Sequence, residues 1–81
     1  MYTEQMRRAV HSLDHYKPKN FGVVIIDNEH FLTVQAPEKN FNQLVDEEKR
    51  RAVEYMVRVK SALEDMGAIV LLVREGGKED V

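Results

Sequence analysis

From Phe21 to Ala36 the chain reads FGVVIIDNEHFLTVQA, two extended apolar runs on either side of a short polar turn. β-Branched and aromatic residues favour strands, and Asp27 and Asn28 tolerate the left-handed geometry that a tight turn requires. The segment therefore predicts a hairpin of Phe21–Ile26 and Phe31–Ala36, with Pro37 closing the second strand. The constraint lies in the first strand. A half-buried strand alternates apolar and polar residues, whereas Val23, Val24, Ile25 and Ile26 are consecutive and ask for cover on both faces. Cover is scarce in a chain of 81 residues, because a domain of this size buries only about two thirds of the surface its unfolded form exposes.

The rest of the chain supplies two helices and one more strand. Thr3 can cap a helix over Glu4–Tyr16, in which Met6, Val10 and Leu13 recur at helical spacing, and Lys17-Pro18 ends it. After the hairpin, the loop PEKNFNQ carries Phe41 towards the core or a partner. A long helix then starts between Asn42 and Asp46 and runs to Met66. Asp46 serves as its cap, Glu47 and Glu48 stand at the positive end of its dipole, and Gly67 supplies the left-handed residue past its end. Val45, Ala52, Met56, Val59, Leu63 and Met66 make its apolar seam, widened by Val53 and Val57. The run AIVLLV, Ala68–Val73, predicts the last strand.

The expected architecture is α+β in the order α-β-β-α-β, a single domain over residues 1–75 with a flexible C-terminal tail over 76–81. The second strand, the long helix and the last strand form a crossover unit, which runs the last strand parallel to the second. The first and last strands are the most continuously apolar. That continuity points to the first strand at the centre, giving a three-stranded, mainly antiparallel sheet in the order 2-1-3 packed against two helices. The face away from the long helix needs cover too, since each Val, Ile or Leu is worth roughly 1.5–3 kcal/mol when fully buried. Either the first helix crosses to it or, the arrangement expected here, both helices share one face and a second copy of the chain covers the other.

Composition narrows the function classes. There are 12 Lys plus Arg against 14 Asp plus Glu, a formal net charge of −2, and 43% hydrophobic residues, which describe a globular domain rather than a polycation or a disordered tail. The absence of cysteine excludes disulfides, thiolate metal sites and cysteine nucleophiles. The N-terminal MYTEQMRRAV has no signal-peptide core and Ala68–Val73 is too short to span a bilayer, so the expected location is the cytoplasm, of a cell or of an infected host.

Few residues suggest chemistry. His11 and His15 stand four apart, a spacing that places two imidazoles on one helix face, but HSLDH lacks a third ligand or a glutamate base in the usual place, and neither metal nor cofactor is expected. Thr3 reads as a cap, Ser12 and Ser61 as helix surface and Thr33 as strand surface, so no hydroxyl is poised as a nucleophile. Asp14 with His15 or Glu29 with His30 could pair as acid and base, yet neighbours on a helix face different ways. Gly76-Gly77 follows a strand without a helix to complete a phosphate cradle.

Two functional readings remain. The first is a small non-catalytic protein-binding module, an adaptor, regulator or inhibitor of a larger protein, acting through a sheet face or edge and forming homo-oligomers. Phe21, Val24, Ile26, Phe31 and Phe41 are its expected interface residues. Size alone associates such chains with viruses and mobile elements. The alternative is a nucleic-acid-binding regulator that uses the basic residues of the two helices, with Arg7, Arg8, Lys17 and Lys19 on phosphates. Against it, Glu47 with Arg51, Arg50 with Glu54 and Glu54 with Arg58 stand at the ion-pair spacing of an ordinary solvated helix.

Overall fold

A computed structural model describes residues 1–74 and the pair Lys78–Glu79. The elements in chain order are α1 (Glu4–His11), a single 3₁₀ turn (Asp14–Tyr16), β1 (Val24–Asp27), β2 (Leu32–Ala36), α2 (Glu38–Asn42), α3 (Asp46–Asp65), β3 (Val70–Arg74) and β4 (Lys78–Glu79). The strands form one mixed sheet in the order β1-β2-β3-β4. β1 lies antiparallel to β2, β2 parallel to β3, and β3 antiparallel to the two-residue β4. The α+β class holds, but the order 2-1-3 and the mainly antiparallel sheet do not.

The physical reason lies in β2 and its crossover. Leu32, Val34 and Ala36 are buried on one side, and Thr33, on the other, is only 8% exposed. The central strand is therefore the one that carries a threonine and a glutamine, whereas the continuously apolar β1 is an edge. The connection through α3 sets β3 beside β2 in parallel, pairing Leu32 with Val70 and Val34 with Leu72. Of the β1 run, Val23 and Ile25 pack against the core while Val24 and Ile26 point away from it. Four consecutive apolar residues thus divide between two faces.

One core joins both helices to one side of the sheet. Met6 and Val10 of α1 and Ala52, Tyr55, Met56, Val59 and Leu63 of α3 are buried with Leu32, Val34, Ala36, Val70 and Leu72. Val45, Val57 and Met66, expected in the α3 seam, are exposed instead, and Tyr55 takes a core place with its ring edge-on to Phe21, 6.3 Å between centroids.

Local chemistry explains the element ends. The Thr3 hydroxyl accepts from the Met6 amide at 3.1 Å, as a cap should. α1 stops at His11 rather than at Tyr16. The Ser12 hydroxyl donates to the Ala9 carbonyl at 2.6 Å, and the following amides bond three residues back, Leu13 to Val10 and Tyr16 to Leu13. Asn20, with φ 65°, completes the turn in which the Phe21 amide bonds the Pro18 carbonyl.

The segment read as a loop, PEKNFNQ, contains α2, which turns Phe41 and Leu44 into the core. At the start of α3 the cap position is Val45, not Asp46, and the Glu48 carboxylate accepts from the Val45 amide at 3.3 Å. At its end the Gly67 amide bonds the Glu64 carbonyl and the Ala68 amide the Leu63 carbonyl, the paired bonds of a Schellman motif, with Gly67 at φ 97°. Of the expected tail 76–81, Lys78–Glu79 pairs with Val73–Arg74, and the other residues lie outside those described.

Candidate functional site

The helices leave the second face of the sheet open. Strand register assembles it as two cross-strand rows: Ile26, Thr33 and Leu71 in one, Val24, Gln35 and Val73 in the other. Val24 is 50% and Ile26 40% exposed, Leu71 and Val73 are half-buried, and Ile69, just before β3, is 66% exposed. Thr33 sits between Ile26 and Leu71, and its hydroxyl accepts from the Asn28 side-chain amide at 3.2 Å, so the polar atom nearest the centre of the face is already engaged. None of these six side chains carries a charge.

Of the residues expected at an interface, Val24 and Ile26 lie on this face. Phe31 is half-buried in the hairpin turn, beside Met6, Met66 and Ile69 around a shallow concavity. Phe21 and Phe41 are core residues, each 3% exposed. A large aromatic reads equally well as an anchor or as filling, and here α2 turns Phe41 into the core and the Tyr55 ring meets Phe21. The alternation of Leu71 and Val73 with the buried Val70 and Leu72 is the signal that would have added them to the face.

Of the four basic residues expected on phosphates, Arg7 and Lys17 border one cleft, and Arg8 and Lys19 do not line it. The Arg7 Nη2 donates to the Glu4 carboxylate at 2.6 Å, and the Arg8 Nε lies 3.4 Å from the same carboxylate. The hydrogen bond and charge of Arg7 hold the Glu4 carboxyl below the usual range. Lys17 is half-buried near the 3₁₀ turn and Lys19 is exposed in the following turn. On α3, the Arg58 guanidinium is stacked on the Tyr16 ring, and Lys60 pairs with Glu64 at 2.9 Å.

The histidines part company because α1 ends between them. The His11 Nδ1 lies 3.0 Å from the Asp14 carboxylate, whereas the His15 ring lies against Tyr16, 4.1 Å between centroids. Glu29 and His30 meet at 3.1 Å in the exposed hairpin turn. Among the described residues no three metal-ligating side chains come together, and no helix is long and apolar enough to cross a membrane. Compared with protein-family models, curated proteins and solved structures, the chain matches none.

Proposed function

We propose that the chain is a non-catalytic protein-binding module, an adaptor, regulator or inhibitor that works through the open face of its sheet. The observation that carries this reading is the uncharged, largely apolar surface of Val24, Ile26, Leu71 and Val73 around Thr33 and Gln35. The roles of the hydroxyls support it: Thr3 caps α1, Ser12 bonds the Ala9 carbonyl and Thr33 accepts from Asn28, so each is spent on structure. Of the four residues expected on phosphates, Arg8 and Lys19 do not line the cleft that Arg7 and Lys17 border, which weighs against the nucleic-acid alternative.

Magnitude sets the kind of binding. Three strands at the usual spacing give a face on the order of 200 Å², well below the ~800 Å² per partner of a durable complex. Its occupant must also be uncharged at the centre, because a buried unpaired charge is costly. A second copy of the same face meets that condition, and the small area makes the association weak and reversible. Sedimentation velocity over a wide concentration range tests this. Reversible self-association is expected, suppressed in Ile26→Lys with the circular dichroism spectrum unchanged. A 9.4 kDa monomer at every concentration, or association indifferent to Ile26→Lys, overturns it.

A further inference from the structure

On the helix side of β1, away from the open face, lies a cleft of about 310 Å³ bounded by Tyr2, α1, the 3₁₀ turn, β1 and Tyr55 of α3. That volume falls at the small end of ligand sites, roughly 300–1,000 Å³. Val10, Val23 and Ile25 supply an apolar wall, and Arg7, His11, Lys17 and the two tyrosines supply polar groups. Asp14 also lines the cleft, but His11 already holds its carboxylate at 3.0 Å. Arg7 spends one nitrogen on Glu4, which leaves other guanidinium donors uncommitted. With one Arg7 nitrogen on Glu4, and with Asp14 held by His11, Lys17 and the remaining Arg7 donors are the positive groups left for a ligand.

Tyr55 gives the cleft a purpose that core packing does not explain. The residue is 2% exposed, and its hydroxyl has no hydrogen-bond partner among the described residues. Yet none of their fully enclosed side-chain oxygens or nitrogens is left unpaired. The hydroxyl must therefore be the part of Tyr55 that reaches solvent. Tyr55 also borders a shallower groove with His15, Tyr16 and Arg58, so the direction matters. Beyond burial, Asp14 and, once ionised, Tyr2 are the groups that push the Tyr55 hydroxyl up, and Arg7 opposes the rise at Tyr2. Asp14, Tyr2 and Arg7 all line the cleft and none lines the groove.

We infer that this cleft is a binding site for a small organic anion, whose phosphate or carboxylate group is held by Arg7, Lys17 and the hydroxyls of Tyr2 and Tyr55 while its apolar part lies on Val23 and Ile25. Neutral hydroxyls donate to such an anion without adding charge, and hydrogen bonds to charged groups are the stronger class. The site is separate from the open face: β1 presents Ile25 to the cleft and Val24 and Ile26 to the other side.

Inorganic phosphate and butyrate, titrated separately into the ¹⁵N-labelled chain and followed by NMR, test the site and distinguish the two anionic groups. Saturable shifts at the Val10, Gly22, Val23 and Ile25 amides are expected with at least one probe. Tyr55→Phe, which deletes only the hydroxyl, and Arg7→Gln should each weaken that probe about tenfold. Val24→Thr, on the open face, should leave it unchanged. Linear or scattered shifts with both probes overturn the inference, as does saturation that Tyr55→Phe leaves intact. Binding of a single-stranded oligonucleotide that ignores Tyr55→Phe and spreads over Arg8 and Lys19 would replace it with the nucleic-acid reading.

Discussion

The Arg58 guanidinium lies 3.9 Å from the centre of the Tyr16 ring, joining the 3₁₀ turn to the middle of α3. The contact is a cation on an aromatic face, partly open to water, and contacts of this kind are worth about 0.5–1 kcal/mol. Arg58→Ala should lower the unfolding free energy by that amount in urea titration. Arg58→Lys should recover part of it, since an ammonium keeps the charge but not the planar stacking. An unchanged midpoint for Arg58→Ala would show that the contact contributes nothing.

Tyr55 makes the alkaline limit of stability measurable. Burial, followed by the charges of Asp14 and Tyr2, pushes its hydroxyl up to about 12 from an ordinary value of 10.0. A raised folded value favours the protonated form in the folded chain. The resulting stability is complete below pH 10 and is lost as pH rises through 12. Absorbance titration should show one of the three tyrosines ionising last, together with unfolding. In Tyr55→Phe the alkaline loss of stability should be shallower.

At the acid end the corresponding group is Asp27. Its carboxylate accepts from the Tyr2 amide at 2.9 Å and pairs with the Met1 ammonium, and these bonds, the ammonium first, hold it below its usual value of 3.8. A depressed folded value contributes stability above the unfolded value, lost as pH falls through the folded one. Asp27→Asn should therefore lower the melting temperature at neutral pH and narrow the gap from the parent chain below pH 3.8. A constant gap across that range would show that the charge of Asp27 is not the cause.

The two glycines among the described residues should respond differently to alanine. Gly67 sits at φ 97° with nothing near a new Cβ, so its cost is one of backbone strain alone, about 1 kcal/mol. At Gly22 a Cβ would meet only the Asn40 side chain at 3.6 Å, an ordinary contact. Thermal denaturation should rank Gly67→Ala well below Gly22→Ala. Equal midpoints would refute the assignment of strain to Gly67.

Features set by neighbours in sequence were legible before the structure: the Thr3 cap, the hairpin, the acidic start of α3 and its stop at Gly67. Strand order was not. The run Val23–Ile26 advertised a strand covered on both sides, but apolar residue types do not say what lies against each face. β2 reached the centre despite Thr33 and Gln35, because Ile26 and Leu71 flank the one and Val24 and Val73 the other. The crossover rule, which puts β3 parallel to β2, carried more information than hydrophobicity did. α1 ended where the Ser12 hydroxyl bonded the Ala9 carbonyl and the next amides turned to carbonyls three residues back, and no periodicity reports that. Two of the six residues of the open face, Val24 and Ile26, were readable in the sequence. The cleft was not, since Tyr2, Lys17 and Tyr55 come from three distant parts of the chain and share no motif.

The parallel pairing of β2 with β3 also orders events in time. Asp27 and Leu32 are neighbours across the hairpin, 32 − 27 = 5 positions apart, whereas Leu32 and Val70 are 70 − 32 = 38 apart. Closing the longer loop costs more chain entropy, and non-local pairing is the slow part of folding. The hairpin can close as soon as its own residues are synthesised, and β3 can dock only after the whole of α3. A nascent chain that has not yet released Val70 therefore carries its future central strand as a bare edge, with the backbone groups from Leu32 to Ala36 unpaired on that side. That interval is when this protein is most open to pairing with the wrong strand.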